Sequence, residues 1–368
     1  MRRLIPAVLL LAAITFGAAQ SASAAPPFYK QRNLISDDTA LIPAEHPDGL
    51  LRNAWGLAAN ATSPWWIANN GSDSSLLFNA STNTIQSLVV AIPGGAPTGL
   101  VFNSSGGQFA VSDGAASAPA VFLFSSEAGV ISGWNPGVPP PPPSTSAQVG
   151  TTVPDAIYKG LAIAGTGVDA RLYATNFHGG TVDVFDGTFT LLTLPGAFVD
   201  PNLPAGYAPF GIQNISGTLY VTYALQDDDA EDDVAGPGHG YVDAYDTAGN
   251  LLRRVASGGA LNSPWGLALA PADFGAFSNM LLVGNFGDGR INAYDLGAPT
   301  RTGEALAVGP LHSAKGPPLQ IDGLWALQFG NGAGAGPKNT LFFTSGPFDE
   351  AHGLFGSLEP TGPPGHGK

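Results

Sequence analysis

"NSPWGLALAPADFGAFSNMLLVGNFGDGRINAYD", residues 262–295, carries three short apolar runs separated by glycines and turn residues, with Trp265 at its head and Asp295 at its foot. Related stretches recur along the chain: "AWGLAANATSPWWIANN" from Ala54, "PTGLVFNSSGGQFAVSDG" from Pro97 and "YKGLAIAGTGVDARLYATNFHGGTVDVFD" from Tyr158. "PFGIQNISGTLYVTYALQ" follows from Pro209 and "LWALQFGNGAGAGPKNTLFFTSG" from Leu324. The marker positions are Gly56, Gly99, Gly160, Gly211, Gly266 and Ala326, spaced 43 to 61 residues apart.

Each unit holds an inner strand after the marker, a second apolar strand, a third ending in a pattern such as "VDVFD" or "INAYD", and usually a fourth such as "NLLRRVA". Polar and apolar residues alternate in "TVDVFD" and "YVDAYD", as they do in strands that pack on one side. Four strands per repeat at this period describe a blade, so the expected fold is all-β, a six-bladed β-propeller. The sixth unit is one strand short. "FYKQRNLIS", residues 28–36, is the expected donor of its outer strand, which would close the ring and remove an open edge. Two inserts interrupt the pattern: a proline-rich stretch at 136–148, read as a stiff solvated loop, and "LQDDDAEDDVAGPGHG" at 225–240.

The 368 residues include 50 glycines and 32 prolines, with 11% charged residues, which suits many turns and short strands. Hydrophobic residues at 44%, spread evenly, argue for folded structure. The start, "MRRLIPAVLLLAAITFGAAQSASA", has basic residues, a short apolar run and small residues at Ala22 and Ala24, the pattern of a secretory signal peptide. The expected partition is a signal peptide at 1–24, one propeller domain at 25–358 and a disordered tail at 359–368. The mature chain is expected to be secreted or periplasmic, monomeric, and without a transmembrane segment. It contains no cysteine, so neither a disulfide nor a thiolate site is available. Removing the two arginines of the leader leaves 12 basic against 28 acidic residues, a net −16, which repels nucleic acid.

"PWGLALAPADFG" with "GNFGDGRINAYD" resembles the NHL-type and lactonase-type six-bladed propellers. Together with "NFHGGTVDVFD", "DPNLPAGYAPFGIQNI" and "DEAHGLFGSL", it resembles an uncharacterised family of exported bacterial proteins, some bearing a PEP-CTERM sorting signal. The resemblance runs from about Asn33 to Leu358; the chain's own end, "EPTGPPGHGK", has no hydrophobic segment or basic terminus of the sorting type. It implies a fold and an exported address, without an activity.

The end of each second strand should open onto one rim of the channel. Reading that position through the repeats gives Asn69, Asp113, Asn176, Tyr223, Asn285 and Ser345, all polar. Two readings stand: a ring of oxygen ligands for a hard cation such as Ca²⁺, with Asn69, Asp113, Asn176 and Asn285 as the candidates, or strand ends whose side chains satisfy turns. The lactonase-type resemblance implies a divalent cation near the axis. The acidic ligand those enzymes take from the start of an inner strand is absent here, where Trp55, Thr98, Lys159, Phe210, Trp265 and Trp325 stand. Candidate acid/base groups on the same rim are His178, Asp288, Asp349, Glu350 and His352. The acidic run from Asp227 to Asp233 lacks EF-hand spacing and reads as a solvated loop. Trp55, Trp265 and Trp325 read as packing wedges between blades. No G-x-S-x-G elbow, phosphate loop, H-E-x-x-H or dinucleotide fingerprint occurs. The expected function is a binding or interaction scaffold for a protein, glycan or small molecule. The alternatives are a metal-dependent hydrolase and an envelope structural protein.

Overall fold

The computed structural model describes residues 28–361 apart from Lys315; the expected signal peptide and the chain after Thr361 lie outside the described residues. Six antiparallel sheets of four main strands form the blades of a propeller. Their inner strands are Ala54–Ala58, Pro97–Phe102, Tyr158–Ala164, Tyr207–Ile215, Pro264–Leu269 and Leu324–Phe329, each beginning one or more residues before its marker.

The recurring glycine has a steric cause. A Cβ at Gly211 would run into the carbonyl oxygen of Trp265 in the next blade, and one at Gly266 into that of Trp325. At Gly160 the corresponding approach, to the Phe210 oxygen, is 3.0 Å. Inner strands of successive blades therefore touch backbone to backbone at the marker. Threonine hydroxyls span the same seams: Thr175 Oγ1 donates to Phe210 O at 2.7 Å, Thr98 Oγ1 to Tyr158 O at 2.6 Å, and Thr344 Oγ1 to Trp55 O across the closing seam, where the marker is Ala326.

Closure follows the expected route. Phe28–Ser36 pairs antiparallel with Leu354–Pro360, so the last blade is completed by the N-terminal strand. Asp37 secures the junction: its Oδ1 accepts from Gly353 N at 3.0 Å and its Oδ2 from His352 Nδ1 at 2.9 Å. Tyr29 OH donates to Phe274 O at 2.9 Å, tying the same strand to the neighbouring blade. The terminal strand continues past the expected limit, with Glu359 and Pro360 paired to Lys30 and Tyr29.

Blade two departs from the sequence reading. The inner strand pairs with Phe122–Ser126, and the segment read as the second strand instead forms a separate hairpin, Ala110–Ser112 with Ser117–Pro119. The proline-rich stretch is also less solvated than expected. Val138 and Ser144 are buried, and Trp134 Nε1 donates to Ser144 O at 2.8 Å. Among the described residues no helix is long and apolar enough to cross a membrane.

Candidate functional site

The side chains just before the markers fix where the axis lies. Trp55 of blade one and Trp265 of blade five are not in neighbouring blades, yet their ring centroids are 6.1 Å apart. Phe210 of blade four reaches Trp325 of blade six at 5.8 Å. Contacts that skip a blade cross the channel. Trp325 is sandwiched between Trp55, at 3.5 Å and 23°, and Phe286, at 4.1 Å and 20°, while Trp265 stands edge-on to it at 5.8 Å. Offset and edge-on pairs of this kind add to the area they bury. The tryptophans thus pack between blades, as expected: Trp325 meets Trp55 and Trp265 of the two adjacent blades, and the Trp55–Trp265 contact adds a reach across the axis that makes the three an axial plug.

Above the plug lies Lys159, the one charged residue among the six pre-marker positions. Its side chain is 2% exposed, and its ammonium sits 5.5 Å from the Trp55 ring. Nζ donates to Glu127 Oε1 at 2.5 Å and to Asp232 Oδ1 at 2.9 Å. Burial works against the charged lysine, but the two carboxylates outweigh it and hold the group above its ordinary range. The partners are unequal: the Glu127 side chain is 29% exposed, that of Asp232 75%.

Asparagines extend the network. Asn70 Nδ2 donates to Glu127 Oε2 at 3.0 Å; Asn53 Nδ2 donates to Asn70 Oδ1 at 3.2 Å and to Glu350 Oε2. Trp325 Nε1 donates to Asn53 Oδ1 at 3.1 Å, and Trp265 Nε1 to Lys159 O at 3.0 Å, so plug and charged mouth form one unit. Burial, aided by the charges of Glu127 and Asp232 and opposed by Asn53 and Lys159, pushes the Glu350 carboxyl up to about 7. Burial likewise raises Asp233, next to Asp232, to about 6.

Asn70, Glu127, Asp232 and Glu350 come from the loops after the second strands of blades one, two, four and six. The Glu350 loop is strained: Phe348, Asp349 and Glu350 have φ of 58°, 51° and 63°. The left-handed region costs roughly 1–2 kcal/mol for each residue with a side chain, and such conformations cluster where function requires them.

The structure distributes the expected site residues unevenly. Asn69, Asn176, Tyr223, Asn285 and Ser345 do share one register position, each opposite the residue two before its marker. Asp113 does not. It caps the extra hairpin of blade two, exposed, with its Oδ1 accepting from Ala115 N at 2.8 Å and Ala116 N at 2.6 Å, and Ser126 takes the register position instead. Asn176 is committed locally: its amide donates to Asp183 at 3.1 Å and its oxygen accepts from Gly179 N at 3.0 Å. Tyr223 OH bonds to Tyr245 OH at 2.7 Å. By contrast, Asn69 Oδ1, Ser126 Oγ, Asn285 Oδ1 and Ser345 Oγ are buried without a protein partner.

These residues stand on second strands, about 4.8 Å farther out than the inner ones. Among the described residues, no three His, Asp or Glu side chains are placed together to hold a metal.

Of the candidate acid/base groups, only Glu350 joins the charged mouth. His352 is engaged by Asp37, Asp288 accepts from Asn285 at 3.0 Å, and His178 and Asp349 are exposed. Glu127, Lys159 and Asp232 were not among the candidates. The acidic run, read as solvated, sends Asp232 to the axis and half-buries Asp233.

Fold and site together define a six-bladed propeller whose channel is shut at one end by aromatic rings beneath a lysine-centred carboxylate cluster. No known protein-family profile matches the chain. It is 34% identical over 343 residues to Uncharacterized protein R648 of Acanthamoeba polyphaga mimivirus, covering 90% of this chain and 80% of that one. It is 34% identical to Uncharacterized protein L690 of the same virus, covering 90% and 85%. The chain belongs to the family of these viral proteins, which lends no support to the bacterial membership its motifs suggested. Among solved structures, it is similar to virginiamycin B lyase from Staphylococcus aureus, at 12% identity and TM-score 0.49 over 90% of this chain and 99% of that one. A glucose dehydrogenase matches at 11% identity and TM-score 0.50 over 85% and 98%. Identities this low show the fold alone.

Proposed function

We propose that this protein is an exported, monomeric binding scaffold whose charged mouth receives a cationic group of its ligand, an amine or a guanidinium. The observation that carries the reading is the difference in exposure within the cluster. Lys159 is covered, while Glu127 and Asp232 reach solvent and Glu350 lies beside them, so an approaching ligand meets carboxylates in excess of the buried charge. The acidic chain as a whole, net −14 with the leader included, attracts cations. The strained turn at Glu350 adds support, because it sets a carboxylate on the rim at a conformational cost.

A metal-dependent hydrolase fits the cluster less well. The Lys159 ammonium stands between carboxylates near the axis, where the lactonase-type resemblance implies a divalent cation. It is also held protonated, so it offers no base at neutral pH. One observation favours a structural cation elsewhere: the unpartnered oxygens of Asn69, Asn285 and Ser345, in neighbouring blades.

Elemental analysis of the purified protein, with melts in spermidine, calcium or chelator, tests these readings. The proposal expects a spermidine-dependent rise in melting temperature that is lost in Glu127→Gln/Glu350→Gln. Stoichiometric calcium whose removal lowers the melting temperature, with no spermidine effect, would replace it by the cation reading. Recovery in the cytoplasmic fraction would overturn the exported address.

A further inference from the structure

The end of the channel opposite the charged mouth is a separate feature. It opens as a funnel of about 260 Å³. Its wall is built mainly by Ala58, Val101, Phe102, Ala162 and Ile163, from three blades, with Ser104 as a polar member. Further in, the channel narrows to about 20 Å³ below Trp265, between the aliphatic residues that follow the six markers. That neck has room for about one water. The funnel is thus blind, and nothing larger passes from it to the carboxylates.

Gln213 and Gln328 border both the funnel and the neck, which places them at its floor. They hold equivalent positions, two residues after the markers of blades four and six, where the other blades carry Ala58, Val101, Ala162 and Ala268. Asn214, also on the lining, is spent: its amide donates to Ile163 O at 2.7 Å and its oxygen accepts from Gly217 N at 2.9 Å. Among the described residues, neither glutamine carboxamide has a protein hydrogen-bond partner. The lining contains no ionisable side chain.

From this geometry we infer that the funnel is a binding site for a small, neutral ring bearing an amide edge, of the lactam class. Size sets the first limit. A cavity of about 150 Å³ holds one benzene and drug-sized ligands need roughly 300–1,000 Å³, so this funnel takes one ring with modest substituents. Charge sets the second, because an ion would leave water without a counter-charge. The floor sets the third. Each carboxamide offers donors and an acceptor, so a ligand amide entering edge first finds partners for both its N–H and its C=O, while its ring lies against the alanine, valine and phenylalanine wall.

The probe is 2-piperidone, with cyclohexane-carrying and charged analogues of the same size as controls, followed by ligand-observed NMR on the full chain. Binding is expected for the lactam, weakened roughly tenfold by Gln213→Leu and again by Gln328→Leu, in line with the loss of one hydrogen bond each. Both substitutions sit at half-buried positions, and unchanged melts will show that the fold is retained; Ala59→Trp, which blocks the funnel without touching either glutamine, should also abolish binding. The inference is overturned if the lactam does not bind, if the double leucine variant binds it as well as wild type, or if the apolar control binds equally. Charged-mouth variants leave this result unchanged, so its failure is distinguishable from failure of the scaffold reading.

Discussion

Replacing Lys159 by Met removes the ammonium and keeps most of the stem against Trp55. Breaking a buried ion pair costs about 3–5 kcal/mol, because the abandoned charge has no compensation. Lys159 is 2% exposed but Glu127 is 29% exposed, so water relieves part of that loss and we expect the lower end, about 3 kcal/mol. Asp232, at 75% exposure, is screened and should contribute less than about 1 kcal/mol. The assay is a pair of double-mutant cycles by urea denaturation, Lys159→Met with Glu127→Gln and Lys159→Met with Asp232→Asn. The Glu127 cycle should show a coupling of about 2 kcal/mol, and its double variant should recover much of the lost stability, since an uncharged pair needs no counter-ion. The Asp232 coupling should stay below about 0.5 kcal/mol at physiological salt. Equal couplings, or a neutral Lys159→Met, would refute the placement of a buried lysine against one dominant carboxylate.

Two further outcomes follow from the structure. Gly211→Ala sets a methyl group against the Trp265 carbonyl, and since rigid backbone is what it meets, destabilisation of about 3 kcal/mol or more is expected in the same denaturation assay; Gly217→Ala, at a turn with open space around it, should lose only the smaller cost of its positive φ. Glu350 has its folded pKa raised from 4.5 to about 7, so the native state holds its proton more tightly than the unfolded chain. Its contribution is fully present below pH 4.5 and is lost as pH rises through about 7, with Asp233 acting in the same direction up to about 6. Glu350→Gln should flatten the decline in melting temperature across that window, while an unchanged profile would show that Glu350 is solvated.

What the sequence revealed and what it hid have separate physical causes. The markers and the closing strand were legible because backbone contact between inner strands demands a small residue at one fixed place, and because a missing strand must come from somewhere. The register of the rim was legible for five blades, since strand pairing repeats there. In blade two, the hairpin at 110–119 imitated a second strand, and placing Asp113 at the rim concealed Ser126 and, directly after it, Glu127. Lys159 was in view as the only charge among the six pre-marker residues, four of them aromatic, but its meaning depended on partners supplied by distant loops. Asp232 is 73 residues away from it in the chain, and nothing local distinguishes that aspartate from its solvated neighbours.

The most direct measurement is a calorimetric titration of spermidine into the mature protein at neutral pH, at low and physiological salt, with wild type, Glu127→Gln/Glu350→Gln and Asp113→Asn compared. A cation-binding mouth gives saturable binding that weakens with salt, falls at least tenfold in the double variant and is unchanged in Asp113→Asn, whose carboxylate lies on the outlying hairpin. No saturable heat, or equal binding in all three proteins, would contradict it.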